Sequence, residues 1–326
     1  MATVTNDLLV QQLHDRRLRL EAALGKAPAA DDLGRLLAEV DAALARVADG
    51  TFGICEICHG PIEPERLLVN PLLRFCLGDL SDEEQRALEQ DLQTAARIQK
   101  GLLPEADVTH SGWQVHFRYQ PAGPVSGDYC DVVRHDSGDL FFMFGDVSGK
   151  GVAAAILMSH LHATFRTLVA ADVSVAQLVE RANRIFREST LSTYFATLVC
   201  GRASTGGDVE ICNAGHWPPL VVREGSVVPV ETTGLPVGTF YSTSYTSRCV
   251  KLAKGEAIVL YTDGLTEARD RSDREYGSER LAHVLKSTST MVPRSVVDTC
   301  LEDLAVHLDG APMRDDLTMM VVRRAA

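Results

Sequence analysis

Phe141-Phe142-Met143-Phe144-Gly145-Asp146-Val147-Ser148-Gly149-Lys150-Gly151 is the stretch that decides how this chain is read. An apolar run drives into one aspartate. A glycine-rich turn follows, and a long apolar helix begins at about Val152. An acid at the end of a buried strand, beside a turn that exposes backbone carbonyls, is a seat for a hard cation. Many strands end in Gly-Asp, so one such acid decides nothing. Three more acids in similar settings make the signal specific: Asp128 in Ser126-Gly127-Asp128-Tyr129, Asp263 in Tyr261-Thr262-Asp263-Gly264, and Asp315 in Arg314-Asp315-Asp316-Leu317-Thr318.

Carboxylates gathered at one rim without cations repel one another, which favours protonation or unfolding. Divalent cations remove that cost, and an all-oxygen ligand set selects Mg²⁺ or Mn²⁺ over zinc. Two such ions about 3.5–4 Å apart share a carboxylate and a water and hold a phosphoryl group in line. The reaction class this suggests is metal-assisted phosphoester hydrolysis, with no cysteine or serine nucleophile. Taken singly, each acid is an ordinary turn residue or helix cap; four together are not. Asp131 and Asp316 read as surface or supporting neighbours, and Glu267 as a residue that caps or starts the helix after Asp263.

Outward from this stretch, strand patterns cover 113–119, 129–134, 140–144, 195–201, 209–213, 220–223, 227–230, 257–261 and 317–322. Helical periodicity covers about 150–170, 174–189, 278–287 and 293–308. Runs of strands alternate with helix pairs rather than single crossovers. That predicts an α+β layered sandwich over 105–326, not a parallel doubly wound sheet.

Upstream, residues 82–103 form a helix in which Leu88, Leu92, Ala95, Gln99 and Leu102 recur at heptad spacing, and Pro104 stops it. Two readings stand: a helix packed on the following domain, or a dimerising linker over 81–104 with Gln99 as a polar residue in its seam. Before it, residues 5–24 and 31–48 read as two amphipathic helices. Neither is long enough to be stable alone, so they form an antiparallel hairpin. Cys55-Glu56-Ile57-Cys58 and Cys76-Leu77-Gly78-Asp79 then frame a tetrahedral zinc site. Its ligands are Cys55, Cys58, Cys76 and either Asp79 or His59. The alternative is a metal-free finger held by Phe52, Ile54, Ile62, Leu67, Leu72 and Phe75. The unit extends over 1–80.

With 45% hydrophobic residues in 326, the chain has material for a sizeable core and about two domains. A net charge of −12 argues against direct nucleic-acid binding. Met1 to Arg17 lacks a basic segment followed by an apolar core, and 152–171 is interrupted by Ser159, His160, His162 and Arg166. The expectation is a cytoplasmic protein without a membrane span. The eight cysteines, mostly single in apolar runs, fit a reducing compartment.

Two resemblances join this reading. The stretch from Leu36 to Asp79, with Asp49-Gly50-Thr51-Phe52-Gly53-Ile54-Cys55 and Cys58-His59-Gly60-Pro61-Ile62, resembles the DksA/TraR family. That likeness implies a hairpin that enters the secondary channel of RNA polymerase with acids at its tip, here Asp31 and Asp32. A transcription regulator acting on polymerase is therefore the alternative function. From about Ala95 to Val322 the chain resembles PPM metal-dependent protein phosphatases of the SpoIIE/RsbU type. The matching pieces include Ala96-Arg97-Ile98-Gln99-Lys100-Gly101-Leu102-Leu103-Pro104, Ser126-Gly127-Asp128-Tyr129, Gly145-Asp146-Val147-Ser148-Gly149, Asn213-Ala214-Gly215-His216, Tyr261-Thr262-Asp263-Gly264 and Asp315-Asp316-Leu317-Thr318, in order and at agreeing spacing.

This second resemblance implies a PPM-type α-β-β-α sandwich and a protein serine/threonine phosphatase. Asp146 would bridge two Mn²⁺ or Mg²⁺ ions, the Val147 carbonyl would ligate the first, Asp263 and Asp315 would complete the second, and Asp128 would orient water. His216 carries no catalytic role. The phosphate-holding arginine of eukaryotic members has no counterpart before Asp128, since Arg118 lies too far upstream. The implied substrate is a phosphorylated anti-sigma-factor antagonist of the STAS type in a partner-switching circuit.

Overall fold

Alternation of apolar and polar residues along Trp113–Gln120 leaves Trp113, Val115 and Phe117 buried, as period-two patterning requires of a strand with one face inward. In the computed structural model, which describes residues 9–325 apart from 11–12, 15, 19, 22–30, 80–81, 172, 192 and 241–242, this strand belongs to the second of two compact units. The units divide between Asp91 and Leu92, inside the helix that the sequence assigns to the linker.

In the first unit the described residues between Leu9 and Glu21 are helical, and helix α1 spans Asp31–Ala48. Leu13 buries against Val40 and Ala43, and Arg17 Nε donates to Asp41 Oδ1 at 2.7 Å, so the two segments pair as the stripes predict. The side chains of Asp31 and Asp32, the expected hairpin-tip acids, lie outside the described residues. The finger follows. Ile54 bridges to Pro61, the Cys55 amide donates to Gly60 O at 2.9 Å, and a short helix α2 spans Pro64–Val69. Leu9, Cys55, Ile62 and Leu67 form its buried cluster. Ile54 and Phe75, expected in that core, are instead exposed.

Helix α3 spans Asp82–Leu102. The second unit then builds two antiparallel sheets. Strands β1 (Asp107–His110), β2 (Trp113–Gln120), β3 (Asp128–Arg134) and β4 (Leu140–Val147) lead to helices α4 (Gly151–Leu168) and α5 (Val175–Ser189). Strands β5 (Ala196–Ala203), β6 (Asp208–Ala214), β7 (Leu220–Arg223), β8 (Ser226–Pro229), β9 (Arg248–Lys251) and β10 (Ala257–Tyr261) come next. Helices α6 (Asp263–Thr266), α7 (Ser278–Lys286) and α8 (Pro293–Leu308) and strand β11 (Leu317–Arg324) complete it.

One sheet has the order β1-β2-β11-β10-β7-β8 and the other β3-β4-β5-β6-β9. Phe142 and Phe144 of β4 meet Ile258, Leu260, Met320 and Val322 between the sheets. Phe141 and Met143, on the opposite face of β4, pack under Leu161 and Phe165 of α4 and Phe186 of α5. On the far side, Val259 and Val321 pack under Leu281 of α7 and Val297 of α8. Four layers result, the α-β-β-α sandwich that the resemblance implied. Strand β4 is apolar on both faces because it is covered on both.

The sequence reading missed β1, β9 and α2, and gave no bounds for the single turn α6 after Asp263. Glu267 does cap the helix after Asp263, at its C-terminal end. It closes α6, its amide donating to Asp263 O at 2.7 Å. Among the described residues no helix is long and apolar enough to cross a membrane.

Candidate metal centre

Antiparallel register sets Asp128 at the start of β3 directly opposite Asp146 near the end of β4, with Thr197 on the other flank of Asp146. In the second sheet, Tyr261 at the end of β10 pairs with Met319 of β11, and the Thr262 amide donates to Thr318 O at 3.0 Å. Asp263 therefore leaves β10, and Asp315 enters β11, at one end of that sheet. Two hydroxyls join the ends of the two sheets. Thr262 Oγ1 donates to Asp128 Oδ2 at 3.2 Å and Thr318 Oγ1 to the same oxygen at 2.5 Å. The four acids expected from sequence are thus brought to one rim.

The electrostatics are those of anions lacking a counter-charge. Burial, then the neighbouring Asp146, pushes Asp128 well above the usual carboxylate range, and Asp128 is 1% exposed. Burial, then Asp263 and Asp315, pushes Asp146 up to about 7. Burial and Asp315 raise Asp263 as well. Lys150 Nζ, 3.0 Å from Asp315 Oδ2, is a nearby cation, but both side chains are substantially exposed. A set of hard oxygen donors whose charge is this poorly balanced fits divalent cations of the Mg²⁺ and Mn²⁺ class.

Gly127 lets the backbone close over the site. A Cβ there would lie 3.0 Å from Val147 O and 3.1 Å from Asp146 Oδ1, tighter than most side chains allow. Asp316, read as a neighbour, holds the same loop: its carboxylate accepts from the Ala122 amide at 2.7 Å and the Gly127 amide at 3.2 Å. Asp131 is not a surface acid. It is fully buried and takes both Arg166 Nε and Nη2 at 2.6 Å, tying β3 to α4. Gln99 is buried too. Its amide donates to Ser126 O at 2.7 Å and accepts from Ser126 N at 3.0 Å, and Ser126 Oγ accepts from the Asp128 amide at 3.0 Å. The Gln99 side chain is thus engaged within its own chain, as in the reading of a helix packed on its domain. Thr262, Thr318, Thr197 and Ser126 were not singled out from sequence, although each is next to or paired with a quoted acid.

His216 is a satisfied turn residue. Its amide donates to Asn213 Oδ1 at 2.8 Å, and its Nε2 lies 3.1 Å from Tyr261 O. A carbonyl only accepts, so Nε2 carries the proton and Nδ1 accepts from Thr197 Oγ1, 2.9 Å away. Burial pushes this imidazole down to about 4, so it stays neutral.

In the finger, Cys55, Cys58 and Cys76 place their sulfurs within 4.8 Å of one another. Among the described residues this is the one set of three or more His, Cys, Asp or Glu ligand atoms that close, and the acids of the sandwich stand wider. Three gathered soft thiols fit zinc. His59, exposed and at φ 52°, is outside the set. The side chain of Asp79 lies outside the described residues.

Comparison with known proteins agrees with both units. A model described as the prokaryotic dksA/traR C4-type zinc finger matches residues 50–78. Protein IcfG of Synechocystis sp. is 28% identical over 72% of this chain and 41% of IcfG. Phosphoserine phosphatase RsbU of Bacillus subtilis is 26% identical over 74% of this chain and 72% of RsbU. The chain thus spans about two fifths of one curated relative and most of the other. The structure of the SiaA-PP2C domain of Pseudomonas aeruginosa shares the fold with a TM-score of 0.66 at 19% identity, covering 74% of this chain and 98% of that one. A model described as Stage II sporulation protein E (SpoIIE) matches residues 136–325, more than half of the chain and the span that holds Asp146, Asp263 and Asp315. With that match on top of the four-layer sandwich and its rim of acids, the chain belongs to the SpoIIE family and carries a PP2C-type phosphatase fold.

Proposed function

We propose that this chain is a protein serine/threonine phosphatase that hydrolyses phosphoserine and phosphothreonine, acting on a STAS-type anti-sigma-factor antagonist in a partner-switching circuit. The observation that carries the reading is the convergence of Asp128, Asp146, Asp263 and Asp315 where the two sheets are tied by Thr262 and Thr318. The similarity to a relative named a phosphoserine phosphatase supports it.

Asp146 and the Val147 carbonyl would hold one Mn²⁺ or Mg²⁺, and Asp146, Asp263 and Asp315 a second. Bound there, the ions supply positive charge to the phosphoryl oxygens and lower the pKa of a water. Asp128, fixed by two hydroxyls, orients the attacking water. His216 holds the turn beside the site and moves no proton.

The finger would bind one structural zinc through Cys55, Cys58 and Cys76, with Asp79 as the fourth ligand, and the front unit over 1–80 would regulate or target the phosphatase over 105–326. Helix α3 is the connection. Gln99 grips both backbone polar atoms of Ser126, two residues before Asp128, so the position of α3 bears on the site. Dimerisation through 82–103 would set that position. Cys130, Cys200, Cys212, Cys249 and Cys300 stand outside any disulfide, which supports a cytoplasmic setting.

Incubation with a phosphorylated STAS protein and Mn²⁺ tests the reading: phosphate is released by the wild type and not by Asp146→Asn.

A further inference from the structure

A cleft of about 550 Å³ opens beside the acids. Asp146 and Asp263 line it together with Phe195, Trp217 and Pro218. Phe195 is 42% exposed and Trp217 38%, so each ring leaves apolar surface in water next to a strongly anionic rim.

Both residues are tied to the elements that carry the acids. The Phe195 amide donates to Ser148 Oγ at 3.0 Å, and the Ser148 amide donates to Phe195 O at 2.9 Å. That fixes Phe195 to the turn just after Asp146 and Val147. The Trp217 ring lies 6.3 Å from that of Tyr261, centroid to centroid, two residues before Asp263. Trp217 also follows the turn that Asn213 binds through both backbone groups of His216. Gly215 in that turn sits at φ 72°, with Pro236 2.6 Å from where a Cβ would be. A side chain at that position has no room. Aromatic surface held on a fixed backbone binds apolar groups at modest ordering cost.

From this geometry we infer an apolar subsite, formed by Phe195 and Trp217, for the residue that flanks the phosphorylated serine of a polypeptide. The inference rests on the phosphatase reading above. A phosphoseryl side chain is short, so a phosphoryl group at the acids brings the substrate backbone over the cleft. The adjoining side chain then falls on the aromatic wall. An aliphatic residue of the leucine class buries surface there, whereas a serine does not. Free phosphoserine has no apolar group to place on it.

The test uses short phosphoserine peptides with leucine or serine on either side of the phosphoserine. In the full chain carrying Asp146→Asn, binding is followed by tryptophan fluorescence. Trp113 is 1% exposed and gives a constant background, so the change reports Trp217. A leucine peptide is expected to bind about tenfold more tightly than its serine counterpart, the scale of a hydrophobic pocket contact, and to shift the emission to the blue. With Mn²⁺ and otherwise wild-type protein, kcat/KM shows the same preference. Trp217→Ala reduces it to less than about twofold, and Trp217→Phe restores most of it. Equal binding and turnover of the two peptides overturns the subsite and leaves the phosphatase reading intact. A preference that survives Trp217→Ala and Phe195→Ala overturns it as well. Hydrolysis of neither peptide by the wild type overturns the phosphatase reading, and the subsite with it.

Discussion

Thr318 and Thr262 do more for the centre than their place in the sequence suggests. Asp128 is buried beside Asp146, and the two hydroxyls are what hold its carboxylate in one orientation. Groups that orient a metal site from outside typically matter by about 10–100-fold. Thr318→Val is expected to lower Mn²⁺ affinity or turnover by about that factor while the fold persists, which titration calorimetry and kcat would show together. The acids themselves were legible because each sits in a glycine or threonine setting at a strand end. The hydroxyl contacts were not, because they cross from one sheet to the other, and nothing local marks a threonine as reaching across. His216 makes a separate prediction. Its folded pKa of about 4 lies below the ordinary value, so the unfolded chain takes up a proton first as pH falls. Stability from this residue is full above about pH 6.5 and declines toward pH 4, by about 2 kcal/mol between pH 7 and pH 5. The raised carboxylates act in the opposite sense. The check is therefore urea unfolding at both pH values, with a smaller acid-side loss expected in His216→Gln than in the wild type.

Helix α3 shows how an element can be read from sequence while what covers its face stays open. Heptad spacing left Gln99 either packed on the following domain or in a seam with a second copy, and the structure turns it inward onto Ser126. Periodicity reports which residues share a face, not what covers that face. Replacing Gln99 with leucine leaves the Ser126 amide and carbonyl without their partner, at a cost of about 1–3 kcal/mol for each group left unsatisfied. Gln99→Leu should therefore lower the melting temperature of the sandwich and reduce activity, whereas a change at the exposed Ile98 should leave the melting temperature unaffected. Wild-type stability in Gln99→Leu would remove the connection. Strands β1 and β9 escaped the sequence reading for a different reason. Each is a four-residue edge strand, and β9 is Arg248-Cys249-Val250-Lys251, charged at both ends in the manner of an edge that avoids pairing with other chains. Strand β4, apolar on both faces, could hardly be missed.

At the scale of the molecule, two units of very different size are held by different means. The sandwich has three stacked hydrophobic clusters. The finger has Leu9, Cys55, Ile62 and Leu67, with Ile54 and Phe75 left in solvent. A core that small rarely folds without a metal or a disulfide, and Cys55, Cys58 and Cys76 gather their sulfurs as one ligand set. This is why the metal-free reading of the finger, open from sequence, loses ground once burial is known. Chelation, or Cys55→Ser, is expected to remove about one zinc per chain and abolish the lower of two melting transitions, leaving the transition of the sandwich in place. One unchanged transition with no zinc released would contradict it. The layered fold was legible because its strand runs and helix pairs are long and strongly patterned.

The central claim is that Asp146 is shared by two cations that hydrolyse a phosphoprotein. Phosphate release from a phosphorylated STAS protein with Mn²⁺, wild type against Asp146→Asn, tests it most directly. The wild type should turn over, and the variant should fall by a factor on the order of 10³, about 4 kcal/mol of barrier, while keeping its fold. Equal rates from the two proteins would contradict the account.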